Sequence, residues 1–145
     1  MRVRSERDYR FAADAEAVWA AMNAVDRFPA WWPWLTAFDG VRLAEGERWR
    51  CRLRAPLPYS IDFTVVFTAV VPGQRVEARI DGDVRGAAQL TLWPGRGSCA
   101  VRLASQLEPV AAMPRTIGAL VPVLARSGHR QVLDRGAAAF GHHLR

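Results

Sequence analysis

The chain contains no lysine. Its positive charge is carried by 20 arginines against 14 acidic residues, a net charge of +6. With so much Ala, Gly and Val beside it, this bias is what a GC-rich coding sequence produces, and the charge alone points to no site. No apolar run approaches the ~20 residues of a membrane-spanning helix, which excludes that class. Cysteine is nearly absent. Cys51 and Cys99 have no second ligand at zinc spacing and are too few for a disulfide scaffold. Both alternate in phase with apolar neighbours and are expected to be buried, reduced thiols. No serine sits in a nucleophile elbow, no glycine-rich loop opens a helix after a strand, and no His/Asp/Glu spacing suggests a metal. No metal and no cofactor are therefore expected. Met1-Arg2-Val3-Arg4 leads into charges rather than an apolar segment, so no secretory signal is expected and the default location is cytoplasmic.

Half of the residues are hydrophobic, enough for a globular core. No linker, repeat or low-complexity segment divides the chain, and residues 1–145 read as one domain. Arg48, Arg50, Arg52 and Arg54 alternate with Trp49, Cys51 and Leu53. In a strand, four guanidinium groups then share one face and the apolar residues the other. A nucleic-acid surface would want aromatics on the basic face. Here the aromatic is opposite, so a solvated outer face is expected and nucleic acid is not a partner.

Residues 3–11 read as a strand. Asp14 is a good N-cap, with Val18, Trp19, Met22 and Val25 following at helical spacing. A second short helix is predicted over 26–32, stopped by Pro33. From Leu35 the period becomes two, predicting strands at 36–43, 47–54, 60–71, 75–81, 84–93 and 98–108. The turn signals between most of these strands are short, which implies antiparallel neighbours. A long helix is predicted from Leu120 to Leu144. At about 100° per residue its core stripe is Val121, Ala125, Gly128, Val132, Gly136 and Ala139. His129 and Phe140 flank that stripe, and Arg126, Arg130, Asp134 and Gly141 lie opposite. Such small residues leave volume unfilled over a sheet unless the sheet packs close. Either a cavity lies beneath the helix, with one histidine turned toward it, or helix and sheet pack directly.

The order is strand, two helices, six strands, long helix. Along it stand Ala17-Val18-Trp19 before Phe28-Pro29-Ala30-Trp31-Trp32-Pro33, then Leu57-Pro58-Tyr59, and Gly82-Asp83-Val84-Arg85-Gly86. Pro122-Val123-Leu124-Ala125-Arg126 before His129, and Arg135-Gly136, follow. In these motifs and their order the chain resembles the helix-grip (START-like, SRPBCC) superfamily, and most of all its bacterial polyketide cyclase/dehydrase branch. The resemblance implies an α+β helix-grip fold: a curved seven-stranded antiparallel sheet wrapped around a long C-terminal helix, with two short helices after the first strand. It also implies a hydrophobic pocket between sheet and helix. Ser105 and Ser127-Gly128 stand where related sequences tend to carry aromatic or aromatic-Asn residues, which fits a roomier pocket.

Strand phase turns Trp49, Leu53, Phe63, Phe67, Leu90 and Leu103 inward with Ser105, toward Phe140 on the helix. Trp32, in the dense cluster Trp31, Trp32 and Trp34, is a further candidate contact, though packing explains that cluster equally well. His129 either exchanges a proton with a ligand carbonyl or is a core histidine bonded to backbone or Tyr59. Tyr59 either offers its hydroxyl to the pocket rim or packs its ring and meets water. The leading reading is binding of a hydrophobic or aromatic, lipid- or polyketide-like small molecule by a monomer or homodimer. The alternative is a polyketide cyclase, aromatase or dehydratase using His129, with Tyr59, as proton shuttle.

Overall fold

The computed structural model describes residues 3–54, 60–110, 134–142 and 144. Strand β1 (Val3–Phe11) is followed by helix α1 (Ala15–Met22), a 3-10 turn (Val25–Arg27) and the short α2 (Phe28–Trp31). Six strands follow: β2 (Leu35–Phe38), β3 (Arg48–Leu53), β4 (Ile61–Val71), β5 (Arg75–Gly82), β6 (Val84–Gly95) and β7 (Ser98–Pro109). Residues 134–142 form helix α3. The long helix expected from Leu120 lies outside the described residues up to Leu133.

Local chemistry explains the boundaries. Asp14 caps α1, its carboxylate accepting from the Ala17 N–H at 2.8 Å, and satisfies a donor the helix start would otherwise leave orphaned. The helix expected over 26–32 is instead a 3-10 turn joined to α2, with Pro29 in the first turn of α2, where its missing N–H is harmless. The strand expected to run to residue 43 ends at Phe38. There the Asp39 carboxylate accepts from the Arg50 N–H at 2.6 Å and the Arg50 Nε at 2.7 Å. A side chain thus takes the donor that the next ladder bond would have used.

All seven strands form one antiparallel sheet in the order β1-β7-β6-β5-β4-β3-β2. The chain meanders, except that β1 closes on the last strand, Val3 facing Leu107 and Phe11 facing Cys99. At two positions the pairing depends on glycine: Gly82, at φ 141°, where a Cβ would crowd the Asp62 carbonyl oxygen at 2.6 Å, and Gly86. A Cβ on Gly86 would overlap the Gln106 carbonyl oxygen of the neighbouring strand. Alternation sorts the faces: Arg48, Arg50, Arg52 and Arg54 are exposed, while Phe67, Val76, Ala78, Leu92 and Val101 are buried on the inner face. Helices α1, α2 and α3 cover parts of that face and divide the core in two. One part joins Val25, Phe28 and Leu35 to Phe67 and Val76. The other joins Val18 and Phe140 to Leu92, Cys99 and Val101.

Candidate functional site: an apolar cavity under the C-terminal helix

Between these two cores the inner face leaves a cavity of about 400 Å³, within the size range of small-molecule sites. Strands β3 to β7 form its floor through Trp49, Phe63, Phe67, Ala78, Leu90 and Leu103. Trp32 and Trp34 close one side, and Gly136, Ala137 and Phe140 of α3 form part of the roof. The walls are strongly aromatic. Trp32 stacks on Trp34 at 5.9 Å and 23°, Phe28 lies 4.6 Å from Trp32, and Trp49 meets Phe67 edge-on at 4.4 Å. Such contacts fix ring positions beyond what area burial alone would do.

The polar side-chain atoms of Tyr9, Trp32 and Trp49 are engaged by protein. Trp32 Nε1 donates to the Gly136 carbonyl at 3.1 Å, and Trp49 Nε1 donates to the Arg42 carbonyl at 2.9 Å. The Tyr9 hydroxyl donates to Asp134 Oδ1 at 3.0 Å. Asp134 in turn holds Arg7 in a bidentate pair, from Nε at 3.1 Å and the terminal nitrogen at 2.9 Å. Burial, helped by the Asp134 carboxylate, pushes the Tyr9 phenol up to about 12, so it stays protonated at neutral pH. Burial likewise pushes the Cys51 thiol up to about 12. Among the described residues the lining has no charged side chain, and no group of His, Cys, Asp and Glu is placed to hold a metal.

Eight residues expected at a site do line this cavity: Trp32, Trp49, Leu53, Phe63, Phe67, Leu90, Leu103 and Phe140. Ser105 sits on the same inner row between Ser5 and Ala88 and is buried, but it is not on the cavity wall. His129 and Tyr59 lie outside the described residues. The helix stripe needs correction. Asp134 and Gly141, read as the far side, instead meet Arg7 with Tyr9 and the Phe11 ring. The inward arc is therefore centred on Gly136, Ala137 and Phe140 rather than on Gly136 and Ala139. An Ala- and Gly-rich helix has no strong apolar side to orient it, so its few tertiary contacts, Asp134 with β1, Gly136 with Trp32 and Phe140 with Phe11, set the rotation.

The sequence reading missed Tyr9, Phe38, Cys51, Val76, Ala78 and Ile80, all of which line the cavity. Most were within reach. Tyr9 and Phe11 alternate along β1, Cys51 shares the phase of Trp49 and Leu53, and β5 alternates through Val76, Ala78 and Ile80. Leu43 also lines it from the β2–β3 loop, and no periodic signal marks that position.

A curved antiparallel sheet gripping apolar space beneath a C-terminal helix defines the helix-grip class. Within it, the family described as polyketide cyclase/dehydrase and lipid transport matches residues 2–144, and the chain belongs to that family. No curated protein matches it in sequence. Solved structures do match in fold. A START superfamily protein of Mycobacterium smegmatis aligns with a TM-score of 0.73 at 15% identity, over 97% of this chain and 96% of that one. The Zhui aromatase/cyclase of Streptomyces sp. R1128 aligns with a TM-score of 0.75 at 12% identity, over 100% and 97%. Norcoclaurine synthase of Thalictrum flavum, solved with dopamine and hydroxybenzaldehyde, aligns with a TM-score of 0.72 at 12% identity, over 99% and 87%. At such identities the likeness is one of fold.

Proposed function

We propose that this protein, acting as one domain over residues 1–145, binds a hydrophobic or aromatic small molecule in the cavity beneath α3. The observation that carries this reading is the wall chemistry. Carbon lines the described surface, while the polar side-chain atoms of Tyr9, Trp32 and Trp49 are engaged with protein partners. Binding needs only shape and apolar area, and each CH₂ buried contributes about 0.8 kcal/mol. Catalysis would need polar groups converging on a reacting atom. Ligand contacts are assigned to Trp32, Trp49, Phe63, Phe67, Leu90 and Phe140.

A neutral probe, N-phenyl-1-naphthylamine, tests this. Saturable one-to-one binding is expected, with energy transfer from tryptophan. Ala88 of β6 lines the cavity, and Ala88→Phe, which places a ring inside it, should abolish binding while leaving the fold intact. Equal binding by that variant would overturn the reading.

The second reading is a cyclase, aromatase or dehydratase, supported by the family's description and the fold match to the Zhui aromatase/cyclase. His129, with Tyr59, would then move protons. His129→Phe separates the two readings. A loss on the order of 10²–10⁴ in turnover with little change in affinity marks a general acid or base. A loss of roughly 1–2 kcal/mol in affinity marks a group that only orients ligand.

A further inference from the structure

The outer face of the sheet carries seven arginines on β3 to β7. Five of them hold a carboxylate: Arg50 with Asp39, Arg52 with Asp62, Arg75 with Glu77, Arg85 with Asp81, and Arg102 with Asp8. Among the described residues Arg48 and Arg79 hold none. They are not scattered: Arg48 faces Val66, and Val66 faces Arg79, so the two guanidinium groups flank one residue in a single row across three strands. Two strand spacings of about 4.8 Å separate their backbones, which leaves both side chains within reach of a common point. Thr64 and Thr68 project from the strand between them, and all four line a groove of about 670 Å³ on the face opposite the cavity. The one carboxylate among the described residues of the groove, Asp81, is engaged by Arg85 at 3.6 Å.

We propose that this groove is a second binding site, distinct from the cavity, for a phosphate group carrying two or more negative charges. Unpaired guanidinium groups offer planar forks of N–H donors suited to phosphate oxygens. Two of them approaching from opposite sides, with threonine hydroxyls between, fit a tetrahedral anion better than the two coplanar oxygens of a carboxylate. A groove holding more positive than negative charge also concentrates anions. The phosphate belongs either to a soluble phosphorylated molecule or to a lipid headgroup.

Nitrogen-15 NMR of the full chain, observing backbone amides and arginine Nε–H signals, tests the site with sodium pyrophosphate as probe and sodium chloride of equal ionic strength as control. Saturable shifts are expected at Arg48, Arg79, Thr64 and Thr68 with pyrophosphate alone. The double variant Arg48→Gln/Arg79→Gln should weaken binding at least about tenfold. Both side chains are exposed and outside the cavity, so affinity for N-phenyl-1-naphthylamine should stay unchanged and report an intact fold. Flotation with four-to-one phosphatidylcholine–phosphatidic acid vesicles distinguishes the sources. Flotation lost in the double variant identifies the headgroup, and its absence beside pyrophosphate binding identifies a soluble ligand. Shifts that chloride reproduces, or pyrophosphate binding and flotation that survive the double substitution, would overturn the site, as would silence toward both probes.

Discussion

At the residue scale, the cavity's chemistry depends on groups kept uncharged. The folded Tyr9 phenol titrates near 12 against an ordinary value of 10.0. The unfolded chain gives up that proton first, so the contribution to stability is complete below pH 10 and is lost as pH rises through 12. Absorbance at 295 nm should show one phenol ionising near pH 12, and Tyr9→Phe should remove that step. Losing the bond to Asp134 should also cost roughly 0.5–1.5 kcal/mol in denaturant unfolding. The thiols behave in the same sense. Burial raises both Cys51 and Cys99, so little thiolate is present near neutrality and neither is a good nucleophile. A chromogenic disulfide at pH 8 should react slowly with the native protein and quickly with both thiols once it unfolds. Fast reaction of Cys51 in the native state would show that the cavity wall opens readily.

At the scale of elements, α3 is held at three places. Asp134 is tied to β1, the Gly136 carbonyl to Trp32, and the Phe140 ring sits 5.3 Å from Phe11 and 6.0 Å from Trp31. Phe140 is the buried anchor, and Phe140→Ala should cost about 3 kcal/mol, the low end for such truncations because one side of the ring already faces empty space. Gly136 is different. A Cβ there would meet Trp34 and Trp32 atoms at 3.7–3.8 Å, ordinary contact. Gly136→Ala should therefore stabilise the protein by roughly 0.5–1 kcal/mol through helix propensity, read as a higher denaturant midpoint. In the sheet the opposite holds for Gly86. Its Cβ would collide with the backbone of β7, and a backbone carbonyl cannot rotate aside as a side chain can. Gly86→Ala should destabilise by about 2 kcal/mol or more.

At the scale of the whole molecule, the sheet is wide, the three described helices are short, and the space between them stays partly empty. A ligand that binds only the folded chain stabilises it by mass action, about 2.7 kcal/mol at a hundredfold excess over Kd. For a chain of 145 residues that corresponds to a rise in Tm of roughly 8–12 °C. Calorimetry with N-phenyl-1-naphthylamine should show this for the native protein and not for Ala88→Phe. A rise in both would place the probe somewhere other than the cavity.

The amino-acid sequence by itself determined the strands, because side-chain alternation has a strict period of two and needs no partner to be read. It likewise set which face of each strand is apolar, and so brought Trp49, Leu53, Phe63, Phe67, Leu90 and Leu103 to one surface. Tertiary structure decided the rest. The rotation of α3 was settled by distant residues, Arg7 and Tyr9 holding Asp134 and Phe11 packing on Phe140, on a helix with no dominant apolar stripe of its own. The end of β2 was decided by Asp39 reaching the backbone of another strand. Arg48 and Arg79 belong to a common groove only through the registers of β3, β4 and β5, which depend on how whole strands pair rather than on any local pattern.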